Sequence, residues 1–118
     1  MVAKLEYKKN MMKIDNPTVI ATHDFIWYKN DGTTVPMQIM IGAPYRQDTD
    51  WACPCAIFGF EGRYADIMGI SSIQALSLAI SLVKERLRWM IETGEVLDLS
   101  QDGKHIGAEF IESLFGGR

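Results

Sequence analysis

The stretch Ser71-Ser72-Ile73-Gln74-Ala75-Leu76-Ser77-Leu78-Ala79-Ile80-Ser81-Leu82-Val83-Lys84-Glu85-Arg86-Leu87-Arg88-Trp89-Met90 decides the fold. Its opening, Ser71-Ser72-Ile73-Gln74, matches a capping box: a serine oxygen takes a backbone N–H orphaned at a helix start, and Gln74 reaches back. Ile73, Leu76, Ile80, Val83, Leu87 and Met90 then recur at spacings of 3, 4, 3, 4 and 3, one apolar stripe widened by Ala75, Ala79, Leu82 and Ile91. Gly94 supplies the stop. Lys84, Arg86 and Arg88 lie in the C-terminal half, where positive charge suits the helix dipole. A helix with one apolar stripe needs a second layer to bury it.

Working outward, the residues before the helix supply that layer. Val19-Ile20-Ala21-Thr22-His23-Asp24-Phe25-Ile26-Trp27-Tyr28 is rich in β-branched and aromatic residues and reads as a strand, and Asn30-Asp31-Gly32 turns it back. In the returning strand, Thr34 to Ile41, Val35, Met37, Ile39 and Ile41 share one face, the core face, against Pro36, Gln38 and Met40 on the other. Residues 43–50 read as a polar loop. Trp51 to Phe60 reads as a third strand, with Pro54 at an edge or near its start. Phe60-Glu61-Gly62-Arg63-Tyr64 turns into a short fourth strand ending near Ile67. After the helix, Glu95 to Leu99 reads as one more short strand and Ala108 to Phe115 as a short helix, while residues 3–14 fit an edge strand, a helix or a loose arm. The expected fold is α+β: an antiparallel meander of about four strands with one long helix across one face, over a single domain spanning 1–118.

Composition narrows the function classes. With 118 residues, 47% of them hydrophobic and 23% charged, the chain has enough apolar material for one core and too little length for a two-domain enzyme. Fifteen acidic residues against twelve Lys and Arg argue against a nucleic-acid partner, because phosphate binding requires a surplus of cations. No signal-peptide pattern and no membrane-length apolar run is present, and Cys53 and Cys55 sit too close together to close a useful disulfide loop, so a reduced cytoplasm is expected.

Candidate chemistry is sparse. Cys53-Pro54-Cys55 places two thiols at same-face strand spacing, but a zinc site wants four ligands and no second pair accompanies them, so no metal is expected. His23 and Asp24 are neighbours on a strand and point to opposite faces, so they do not easily pair as acid and base. Gly59-Phe60-Glu61-Gly62 lacks the following helix that a phosphate loop needs. We therefore expect no catalytic centre and no cofactor. Charge distribution is more informative than its total. Residues 1–13 hold four lysines and one glutamate, whereas residues 92–112 hold Glu92, Glu95, Asp98, Asp102, Glu109 and Glu112 against Lys104. Together with Tyr45, Arg46, Asp48, Asp50 and Trp51 of the polar loop, which mix aromatic anchors with charge, Asp98 and Asp102 are the candidate partner-binding residues.

The order Ile41-Gly42-Ala43-Pro44, then Trp51-Ala52-Cys53-Pro54-Cys55-Ala56-Ile57-Phe58-Gly59, then Gly69-Ile70-Ser71-Ser72-Ile73-Gln74-Ala75-Leu76 resembles a family of small bacterial domains of unknown function. The likeness covers roughly residues 35–92, and Ser71 stands where the pattern has an acidic residue. It implies an immunity protein of an interbacterial toxin system, a cytoplasmic partner that neutralises a cognate protein toxin by occluding its active site, and it transfers no catalytic residue. The alternative expectation is a small enzyme or metabolite-binding protein whose pocket lies between sheet and helix, lined by His23, Asp24 or Cys55. Either a monomer or a homodimer paired through an exposed strand edge is compatible with the pattern.

Overall fold

The computed structural model describes residues 12–100 and 103–117. The chain runs β1 (Val19–Tyr28), β2 (Thr34–Gly42), β3 (Tyr45–Gln47), β4 (Asp50–Cys53), β5 (Cys55–Phe58), β6 (Gly62–Arg63), β7 (Ile67–Gly69), then α1 (Ser72–Glu92), β8 (Val96–Asp98) and α2 (Ala108–Leu114). The architecture is α+β, as expected, with more strands than expected: a five-stranded antiparallel sheet in the order β6-β5-β2-β1-β8 and a second sheet in the order β3-β4-β7.

The second sheet arises where the sequence suggested one unbroken third strand. Pro54 has no N–H to give a ladder, and the run 51–60 divides there into β4 and β5, which belong to different sheets. β2 and β3 change sheets opposite it. Ile41 pairs with Cys55 in the large sheet and Tyr45 with Ala52 in the small one, so Ala43 and Pro44 stand across from Cys53 alone, and the ribbon bends as a bulge bends it. At the corner Gly42 donates its N–H to the Pro54 carbonyl at 2.9 Å. A Cβ on Gly42 would come within 2.8 Å of Pro54 Cβ. The stretch 43–50 is consequently not a loop but most of a hairpin, closed by the two residues Asp48-Thr49.

The core lies between the large sheet and α1. Phe25 of β1, Met37, Ile39 and Ile41 of β2, Cys55 and Ile57 of β5 and Leu97 of β8 point inward, as the strand alternation predicts. Met40 and Ala56 on the outer face are buried as well, beside Arg63, whose Nη2 donates to the Ile14 carbonyl at 3.2 Å. The helix presents Ala75, Ala79, Val83, Leu87 and Met90 to the core. That line is rotated from the expected stripe: Leu76 and Ile80 flank it half-buried, and Ile73 points outward, 75% exposed.

Both ends of α1 form as the local sequence dictates. Ser71 is the N-cap, its Oγ accepting from the Gln74 N–H, while the Gln74 side chain accepts from the Ile70 N–H at 2.8 Å. At the other end Gly94, at φ +95, donates to the Ile91 carbonyl and Glu95 to that of Met90, which is a Schellman closure. The three basic residues do more than face a dipole: Lys84 pairs with Glu112, Arg86 with Glu61, and Arg88 with Glu92 and Glu112. Among the described residues no helix is long and apolar enough to cross a membrane.

Candidate partner-binding surface

Five of the seven candidate binding residues come together on the β3–β4 hairpin. Arg46 and Trp51 are cross-strand partners, and the Arg46 guanidinium lies 5.6 Å from the centre of the Trp51 ring while also donating to the Asp48 carbonyl. Asp48 takes φ +56 at the turn, a left-handed conformation that Asp tolerates without glycine. Asp48 and Asp50 are exposed at the tip. Trp51 is half-buried, its ring packed against the core.

Tyr45 has a different task. Its hydroxyl donates to Asp66 Oδ2 at 2.6 Å, the same oxygen accepts from the Ile14 N–H at 2.8 Å, and Arg63 Nη2 reaches Asp66 Oδ1 at 2.8 Å. The Asp66 side chain is entirely buried, so these donors replace the water it has lost. Burial and then the neighbouring Asp66 carboxylate push the Tyr45 phenol well above its ordinary range, and it stays a neutral donor. Tyr45 thus ties the hairpin to the turn before β7. A hollow of about 360 Å³ lies between Asp66, Met68 and the tip residues Gln47 to Asp50.

Beside the hairpin, β7 pairs with β4 through Trp51 and Gly69. Gly69 brings the strand so close to the helix that a Cβ there would lie 2.5 Å from the Ala75 nitrogen. The helix start is held at the sheet, and the two residues either side of its cap are left in water: Ile70 is 79% and Ile73 75% exposed. Neither was a sequence candidate. The signal was present, because the cap at Ser71 places Ile70 outside the helix and Ile73 on its first turn, away from the Ala75–Ala79–Val83 line.

Four of the five described acidic residues between 92 and 112 are engaged within the fold. Asp98 is fully buried, which corrects its expected exposure: on β8 it bridges antiparallel to His105 in the segment leading to α2, with Oδ1 2.5 Å from His105 Nδ1. Its Oδ2 is buried with no hydrogen-bond partner among the described residues. Glu95 accepts from the Trp27 indole N–H, and Glu92 and Glu112 pair with helix cations. Asp102, and residues 1–11 of the lysine-bearing N-terminal stretch, lie outside the described residues.

Nor do His23, Asp24 and Cys55 meet. His23 lines a hollow between sheet and helices, Asp24 lies on the outer face bonded to the Gln38 amide, and Cys55 is buried in the core. Cys53 and Cys55 flank Pro54, and Cys53 Sγ donates to the Gly42 carbonyl. Burial is the main cause that pushes the Cys53 thiol up to about 11 and that of Cys55 up to about 12, so both are protonated at neutral pH and are poor nucleophiles.

Residues 21–110 match the model of DUF6968, a domain of unknown function. The chain belongs to this family. No curated protein and no solved structure matches it. The DUF6968 span takes in the whole β3–β4 hairpin and all of α1, and it ends inside α2.

Proposed function

We propose that this DUF6968 protein is a partner-binding module of the immunity type, which acts in the cytoplasm by capturing a cognate protein toxin and covering its active site. The docking surface is the tip of the β3–β4 hairpin together with the start of α1. One observation carries the choice: two isoleucines more than 70% exposed sit beside a hairpin tipped by Asp48 and Asp50 and braced by the Arg46–Trp51 pair. Apolar anchors next to a charged rim are what a protein interface uses, the anchors for affinity and the rim for steering. The brace of Tyr45 on Asp66 holds this surface in place before binding, which lowers the ordering cost of association.

The test is co-expression with the product of the gene immediately upstream, where a cognate toxin would be encoded, followed by purification of the complex. The parent protein should protect the cell and co-purify with the toxin. Ile70→Asp combined with Ile73→Asp, on exposed positions that folding does not need, should remove both effects while the purified protein keeps its melting temperature. Full protection by that double variant would move the interface elsewhere, and failure of the parent protein to protect or to bind would end the immunity reading.

A further inference from the structure

A second feature lies away from the hairpin and is independent of the immunity reading. Between the large sheet and the two helices is a hollow of about 360 Å³. Ala21 and His23 of β1 with Ile39 and Ile41 of β2 form its floor, and Ile80 of α1 with Phe115 at the end of α2 form walls. Its origin is physical. α2 is only seven residues long and stops before it can cover the start of β1, and Ala21 offers a methyl group where Phe25 offers a ring farther along the strand. Glu112 of α2 pairs with Lys84 at 2.8 Å and with Arg88 at 3.2 Å, which sets where α2 lies against α1.

We propose that this hollow binds a small hydrophobic carboxylic acid whose carboxylate pairs with His23. At about 30 Å³ for each water-sized group, the space takes about a dozen non-hydrogen atoms. The lining residues are aliphatic or aromatic apart from Thr22 and His23, the pattern of a ligand pocket in which a few polar groups fix orientation. His23 Nε2 is buried with no hydrogen-bond partner among the described residues, an unfavourable state for an imidazole nitrogen that a bound acceptor would relieve. The ring lies 4.8 Å from that of Phe25 and 6.4 Å from that of Phe110. Nε2 is covered by protein rather than open to the hollow, so pairing requires the ring to turn about its soft terminal torsion and present a nitrogen there. A carboxylate is the fitting head group because it only accepts, and an imidazole can donate to it in either protonation state.

The experiment is a titration of the purified protein with octanoate and with phenylpropionate, followed by calorimetry and by the nitrogen resonances of the histidine rings. Octanol serves as the same chain without the acid. Both acids should bind saturably and shift the His23 resonances, octanol should bind about tenfold more weakly, and His23→Phe, which keeps the ring and removes the nitrogens, should weaken the acids by a similar factor. Ala21→Phe should abolish binding by filling the hollow. Absence of saturable binding by either acid, unmoved His23 resonances, or octanol binding as tightly as octanoate would each overturn the proposal, and these three readings need no variant to fold.

Discussion

At Gly69 and Gly42 the missing side chain is what lets two elements meet. Alanine at 69 would put its Cβ 2.5 Å from the Ala75 nitrogen and 2.9 Å from Ala75 Cα, backbone atoms of a helix that can retreat only by leaving the sheet. Gly69→Ala should therefore cost about 1–3 kcal/mol, seen as a lower urea midpoint with an unchanged slope. Asp66 is the polar counterpart: its buried carboxylate depends on Tyr45, Ile14 and Arg63. Tyr45→Phe keeps the ring and removes one of those donors, for an expected loss of about 1–3 kcal/mol. Glu61 gives the residue scale its pH dependence. The forked Arg86 guanidinium, at 2.7 Å to both of its oxygens, holds this carboxyl below its ordinary value of 4.5. A carboxyl depressed by folding contributes stability that is complete above its unfolded value and disappears as pH falls through the folded one. Arg86→Met should thus unfold more easily than the parent near neutrality, by at most about 1 kcal/mol for so exposed a pair, and the two proteins' stabilities should converge in acid below 4.5.

The long helix shows what a sequence announces at the scale of an element and what it hides. Its ends were legible because caps are local: Ser71 with Gln74 at one end and Gly94 at the other need only their near neighbours. Its buried face was less so. Following the bulkiest apolar residues led from Ile73 through Leu76, whereas the helix approaches the sheet along its smallest ones, Ala75 and Ala79, because close approach to Gly69 leaves no room for more. Leu87→Ala, on the buried line, should cost about 2–5 kcal/mol, Leu76→Ala at the flank clearly less, and Ile73→Ser about 0.5 kcal/mol or less by the same urea measurement. Strand breaks were hidden for a related reason. Pro54 marks a possible end, but that it forms a corner depends on Gly42 across the ribbon, a contact no local pattern encodes. The Asp48-Thr49 turn carries no glycine to announce it. Five of the candidate residues lie together because one hairpin holds them all. The burial of Asp98 was not legible, because strand alternation tells which face a residue takes and not what later residues pack beside it.

Across the whole molecule, acidic side chains divide into those spent on internal pairing and those left to act at a distance. Glu61, Glu92, Glu95, Asp98 and Glu112 are engaged with Arg86, Arg88, Trp27, His105 and Lys84, respectively, while Asp48 and Asp50 remain exposed at one end of the small sheet. The outermost strands of both sheets, β6, β8, β3 and β7, are only two or three residues long, but β8 covers β1 at Ile26, Trp27 and Tyr28 alone, so among the described residues the earlier part of β1 keeps an open edge. The proposed docking surface relies on side chains instead, and its two parts should separate kinetically. Reversing Asp48 and Asp50 to lysine should slow association with the toxin and flatten its dependence on salt, because exposed charges steer encounter and are screened. Replacing Ile70 and Ile73 by serine should leave association nearly unchanged and speed dissociation, because buried apolar anchors act after encounter. Asp98→Asn provides the contrast: with its carboxylate shielded inside the fold, it should lower the melting temperature and leave the association rate alone. Association rates that are insensitive to the Asp48 and Asp50 reversal at both low and high salt, in a variant that melts like the parent, would place the toxin on another face.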